Sequence, residues 1–307
     1  MRQINEYGMR VSELYNTICR GKWFILPSLV DANRMLVQRM MKREIRAEEE
    51  QEGRGALRMR IYGRAMERSE SATFDELPEE STVVVPLHGT MTKYNTWCSY
   101  GTQHIASLVQ AAAESPRVKS IVLDIDSGGG SVDAIAPMLD AIAECKRRRK
   151  GCVAAVDLCA SAAYYVACHT DGIVAMNRVS SELGSIGVMM QFYDYAKYYE
   201  KEGITQHRIY STLSDYKNAP FEAALKGDYT KIRSEELDPL ARQFQMAVKK
   251  CRPKLKADTE GILSGRMFYA DDAVTLGLAD EVDTLERAVE LSRAKSDEYL
   301  LQAYYSE

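Results

Sequence analysis

Gly151-Cys152-Val153-Ala154-Ala155-Val156, a turn, and then Cys159-Ala160-Ser161-Ala162-Ala163-Tyr164-Tyr165 is the stretch whose reading decides the fold. Cys152 to Val156 reads as a short apolar strand, and the residues after the turn read as the start of a helix. One serine, flanked by small residues, sits where the strand hands over to the helix. Such a junction lifts a hydroxyl out of the backbone and aims the first free N–H groups of the helix at whatever the hydroxyl attacks. The plain alternative is a serine that merely starts a helix, as many do. Three other segments supply what a nucleophilic serine would need.

Working outward, the chain alternates strands and helices. Thr82 to Leu87 reads as a buried strand, His104 to Ala113 as a helix with Ile105, Leu108, Val109 and Ala112 on one face, and Val118 to Ile125 as a second strand. Asp126-Ser127-Gly128-Gly129-Gly130-Ser131 ends that strand, Val132 to Cys145 is helical, and Gly172 to Met176 follows the serine helix as another strand. The alternation predicts a layered α/β core with parallel pairing. The basic run Lys146 to Lys150 closes a helix, where positive charge complements the helix dipole and stays solvated.

Gly128-Gly129-Gly130 reads either as a plain strand–helix turn or as a backbone N–H donor site that a substrate carbonyl can approach closely. No Lys-Ser/Thr pair follows the glycines, so a phosphate loop is disfavoured, and a dinucleotide fingerprint is absent. An oxyanion hole fits best.

The serine also needs a base. The histidines are His88, His104, His169 and His207. His169 lies eight residues past Ser161, roughly 12 Å along the expected helix, which is out of reach. His207 has no motif around it. A lysine serves as base when desolvation brings its pKa towards neutrality. Ser214-Asp215-Tyr216-Lys217-Asn218-Ala219-Pro220-Phe221 offers Lys217 between aromatic residues and a proline; Lys197 and Lys226 are the fallbacks.

These segments together resemble the signal-peptide-peptidase A group of serine peptidases, peptidase family S49. Asp126 to Ser131 is similar to the family's Asn-Ser-Pro-Gly-Gly loop, and Ala160 to Tyr165 to its nucleophile segment. Leu183-Gly184-Ser185-Ile186-Gly187-Val188 resembles the Thr-Gly-Ser-Ile-Gly-Val loop, and Tyr216 to Phe221 the base segment. Ser264-Gly265-Arg266-Met267-Phe268, with Leu276 to Asp280, is a fifth match in register. The chain departs from the family at Gly128, where the family has proline, at Asp126, where it has asparagine, and at Leu183, where it has threonine.

The resemblance implies a ClpP/crotonase-like fold of stacked ββα units behind a helical N-terminal extension. It implies a Ser-Lys dyad: Ser161 as nucleophile, Lys217 as general base, Ser185 orienting the lysine, and backbone N–H groups of Gly129, Gly130 and Ala162 holding the oxyanion. It implies homo-oligomeric rings in which the dyad can be completed across a subunit boundary, and needs neither metal nor cofactor. The phage and prophage members act in capsid maturation, which implies a polypeptide substrate and capsid or portal partners, in the cytoplasm or the procapsid. Alternatives are a non-catalytic assembly protein on the same fold, a signal-peptide-remnant peptidase, and, more distantly, an acyl-CoA enzyme of crotonase type.

Composition agrees with a globular protein. The 307 residues are 46% hydrophobic, enough for a sizeable core. A formal charge of -4 gives no reason to expect nucleic-acid binding. Seven cysteines without metal-type spacing read as reduced thiols. No run of about 18 apolar residues occurs, so no membrane span is expected, and Met1 to Arg20 lacks a signal-peptide pattern. The expected organisation is an N-terminal extension over 1–78, a peptidase core over 79–285, and a C-terminal helix with a mobile tail over 286–307. Within the extension, Gly21 to Pro27 reads as a short apolar strand or docking segment, Leu29 to Ile45 as a helix packed on its own domain or a docking helix for another subunit, and Arg46 to Pro78 as a charged linker or solvated helix.

Overall fold

The computed structural model describes residues 22–25, 57–71, 74, 77–96, 99–192, 194, 196–205 and 207–305. The expected docking helix over Leu29 to Ile45 lies outside them. Four parallel strands form the centre: β4 (Ser81–His88), β5 (Val118–Ser127), β7 (Cys152–Ala160) and β8 (Ile173–Ala175). Helix α1 (Thr102–Glu114) returns the chain from β4 to β5, and α2 (Ile135–Arg147) from β5 to β7. The core is therefore a parallel α/β sheet, as the alternation predicts.

Side-chain alternation splits each central strand between two layers. Val83, Val85 and Leu87 of β4, Ile121, Leu123 and Ile125 of β5, and Cys152, Ala154 and Val156 of β7 face one core, with α1, α2 and the short α3 (Ala162–Ala167). Val84, Val122, Val153, Ala155 and Val174 face the other, under Leu285, Ala288 and Val289 of α8 (Leu285–Tyr304). A strand buried on both faces reads as a continuous apolar run, which is what these sequences are.

The sheet forks at β7. Its first half, Ala154 to Val156, pairs with β8; its second half, Leu158 to Ala160, pairs with β9 (Glu182–Gly184). The fork carries the chain after Gly184 over the end of β7. Beyond β9, β11 (Met267–Tyr269) adds an antiparallel edge.

Two expectations need correction. The run from Arg46 to Pro78 is not wholly a solvated linker: β2 (Met59–Tyr62) pairs with β3 (Arg68–Ser71) and with β4. Met59 and Ile61 are buried, and the intervening Arg60 keeps its charge compensated by an ion pair with buried Asp124. The stretch from Ser296 is not a loose tail either, because α8 continues to Tyr304. Ser296, 2% exposed, accepts the Gly151 N–H at 2.8 Å and donates to the Lys119 carbonyl at 2.9 Å. Its polarity serves the interior rather than solvent. Among the described residues no helix is long and apolar enough to cross a membrane.

A second, small sheet lies apart. Strand β1 (Lys22–Ile25) runs antiparallel between β6 (Gly129–Ser131) and β10 (Met189–Met190).

Candidate active site

Ser161 stands at the end of β7 as the residue before α3, at φ 56° and ψ −112°. A non-glycine residue holds such a conformation only where its surroundings impose it, and these positions concentrate at functional sites. The surroundings are visible: the Ser161 N–H donates to the Gly184 carbonyl at 2.9 Å, and its carbonyl accepts the Tyr165 N–H at 2.8 Å. The hydroxyl is 3.4 Å from the Gly187 carbonyl, to which it donates, and the residue is 1% exposed. Ala160, Ala162 and Ala163 are fully buried, so small side chains are what let this turn pack. Ala162 opens the helix, where an N–H has no intrahelical acceptor.

The glycine loop closes against this turn. Ser127 lies opposite Cys159 in the parallel ladder. Its hydroxyl donates to the Gly89 carbonyl at 2.6 Å and accepts the Gly129 N–H at 3.1 Å. Gly129 has φ +94°, and a Cβ there would sit 2.9 Å from the Ala160 carbonyl oxygen and 3.0 Å from the Ala162 nitrogen. Only glycine permits that approach. Gly130 bridges Met91 on one side and pairs with Phe24 on the other. Of the expected donors, Gly129 lies against the start of α3 at Ala162, with its N–H engaged by Ser127, and Gly130 lies between Met91 and Phe24.

Ser185 follows β9 at φ 52°, and its N–H donates to the Arg266 carbonyl at 3.0 Å. A Cβ on Gly184 would lie 2.4 Å from that same carbonyl oxygen. The Leu183–Val188 loop is therefore held between Ser161 and the Arg266–Met267 segment. This gives the fifth motif a physical role that linear reading did not supply: it clamps the loop that accepts the serine N–H.

Lys217 makes no hydrogen bond to Ser161 or Ser185 among the described residues. It lies in a turn, its N–H donating to the Ser214 carbonyl at 3.1 Å, and its side chain is exposed. The dry pocket that a lysine base requires is not formed around it in a single protomer. Lys197 and Lys226 are also exposed. The lysine whose pKa is most displaced, Lys150, is pushed down to about 8 by burial. It donates to the Ala112 and Ser115 carbonyls, the latter at the end of α1, so it caps a helix instead of facing solvent with the rest of its basic run.

Among the described residues no histidine is hydrogen-bonded to Ser161. His88 bonds Asp124 at 3.1 Å, and His104 stacks on Tyr100. His169 lies past the end of α3, with its ring 5.2 Å from that of Tyr165. Cys168, His169 and Cys251 bring their ligand atoms within 4.8 Å of one another. Two thiols and an imidazole suit a zinc-type ion, but they are three groups, and the His169 Nδ1 is already bonded to the Tyr165 carbonyl at 2.8 Å.

The profile of peptidase family S49 matches residues 144–298. The chain is 26% identical over 202 residues to the serine protease SPPA, chloroplastic, of Arabidopsis thaliana, covering 64% of this chain and 28% of that one. It is 28% identical over 213 residues to the head-tail preconnector protein GP5 of Enterobacteria phage P21, covering 69% and 41%. It is 26% identical over 224 residues to the capsid assembly protease C of Escherichia phage lambda, covering 70% and 49%. The chain thus spans less than half the length of each of these relatives. Among solved structures, a variant of the 1510-N membrane-bound stomatin-specific protease bound to a substrate peptide aligns with 68% of this chain and 78% of its own, at 15% identity and a TM-score of 0.43.

Proposed function

The chain belongs to peptidase family S49, and from that membership we propose that it is a serine endopeptidase in which Ser161 is the nucleophile and Lys217 of an adjoining copy is the base. The neutral lysine amine takes the Ser161 proton as Oγ adds to the scissile carbonyl. The oxyanion that forms is held by the N–H groups of Ala162, Gly130 and Gly129, the last exchanging its bond to the Ser127 hydroxyl for the oxyanion. The intermediate collapses to an acyl-serine, the leaving amine takes the proton from the lysine ammonium, and water then hydrolyses the ester. Ser185 holds the ammonium in place.

The observation that carries this reading is the strained, small-residue turn at Ser161 with the Gly129 backbone closed against it. A fluorophosphonate probe tests it. The oligomer should be labelled at Ser161, with labelling abolished in Ser161→Ala and in Lys217→Ala. An unlabelled wild-type protein in every oligomeric state would overturn the reading. It would favour the second one, a non-catalytic assembly protein, which the exposure of Lys217 in a single chain supports.

The phage relatives support a role in capsid maturation. On that reading the substrate is a polypeptide of the assembling head, the partners are capsid or portal proteins, and the site of action is the procapsid.

A further inference from the structure

Strand β1 fills the middle of a sheet whose other two strands have no direct pairing. Trp23, Phe24 and Ile25 lie opposite Ser131, Gly130 and Gly129; Lys22 and Trp23 lie opposite Met190 and Met189. Both ladders are antiparallel, and among the described residues β6 and β10 meet only through β1. Neighbouring strands lie about 4.8 Å apart, so without β1 the two edges would face each other across about 10 Å, the width that admits one extended chain. Such a slot satisfies the backbone of any strand laid in it, on both sides.

The slot borders the catalytic turn. A Cβ on Gly129 would lie 2.2 Å from the Phe24 carbonyl oxygen and 3.0 Å from the Ala162 nitrogen. The Phe24 carbonyl and the first N–H of α3 are therefore no further apart than the sum of those distances. Phe24 is 2% exposed, its ring centroid 4.9 Å from that of Phe244 and 6.2 Å from that of Tyr165, four residues past Ser161. Lys22 forms an ion pair with Glu236, close in sequence to the helix that carries Phe244.

We propose that Lys22–Ile25 is an in-cis occupant of the polypeptide channel: the slot between β6 and β10 takes an extended peptide as its middle strand, and the Tyr165–Phe244 pair selects an aromatic side chain of whichever chain lies there. The inference rests on the Ser161 peptidase reading for what the channel is for, but not for its geometry. The N-terminal segment competes with substrate, and access to Ser161 requires its displacement. Because only a fraction of the protein has the channel free, a peptide's apparent affinity falls by that fraction.

The test uses a fluorescent peptide of the sequence Gly21 to Pro27 and the full chain carrying Ser161→Ala, so that no cleavage occurs. Adding Lys22→Glu and Phe24→Ser should tighten peptide binding, read by anisotropy, by about ten-fold or more. A peptide with serine in place of its phenylalanine should bind more weakly to every variant. If Phe24→Ser does not fold, Lys22→Glu alone, a half-exposed position, decides the matter. Equal affinity with and without the strand substitutions, or no binding to any variant, overturns the proposal. The anisotropy assay reads binding in a protein that cannot cleave, and fluorophosphonate labelling is read on Lys22→Glu, Phe24→Ser as well as on the wild type, so an occupied channel is not taken for a missing nucleophile and the two readings fail separately.

Discussion

Ser161 is held at φ 56° by its neighbours and not by its own preference. An alanine at that position keeps the Cβ and its strain, whereas glycine does not. Ser161→Gly should therefore unfold at higher denaturant than Ser161→Ala, by about 1 kcal/mol, with both inactive. The reverse order in urea titrations would show the turn to be unstrained. A second residue-scale expectation concerns His88. Its hydrogen bond to Asp124 raises its pKa above 6.5, partly opposed by burial. A raised folded pKa means stability that is fully present below the unfolded value and lost as pH climbs through the folded one. The urea midpoint should thus decline above about pH 6.5, and His88→Gln should flatten that part of the profile relative to wild type.

At the scale of elements, α8 is what covers the second face of the sheet. Its close approach depends on Gly151, where a Cβ would lie 2.1 Å from the Ser292 carbonyl oxygen and 2.8 Å from the Lys295 Cβ. Gly151→Ala must push the helix outward, separating Ala288 and Val289 from Val122 and Val153. Overpacking of this kind costs about 1–3 kcal/mol. Thermal melts should show the loss, while labelling of the folded fraction at Ser161 stays intact because the helix lies on the face opposite α3. A Gly151→Ala protein as stable as wild type would mean that α8 is not seated as described.

For the whole molecule, the exposure of Lys217 in a single chain, against the burial of Ser161, sets the expectation. If the dyad is shared between copies, Ser161→Ala and Lys217→Ala proteins are each inactive, but mixed oligomers contain sites with an intact serine from one chain and an intact lysine from the other. Co-assembly of the two variants should restore part of the peptide hydrolysis. Mixtures as inactive as their parents, in oligomers shown to exchange subunits, would exclude completion in trans.

The sequence by itself determined the parallel core, because a strand buried on both faces must be apolar throughout and the helices between such strands carry one apolar face. It also determined the serine turn and its glycine loop, since small residues at close approaches leave a local signature. Burial of the C-terminal serines and pairing of the strand around Arg60 left none: polar residues read as surface until a distant partner is known, Asp124 for one and the Gly151 N–H for the other. The place of Lys22–Ile25 was equally illegible. Four apolar-leaning residues state that a strand exists, but which two edges it joins, more than a hundred residues further on, is settled only when the folded chain leaves a gap one strand wide.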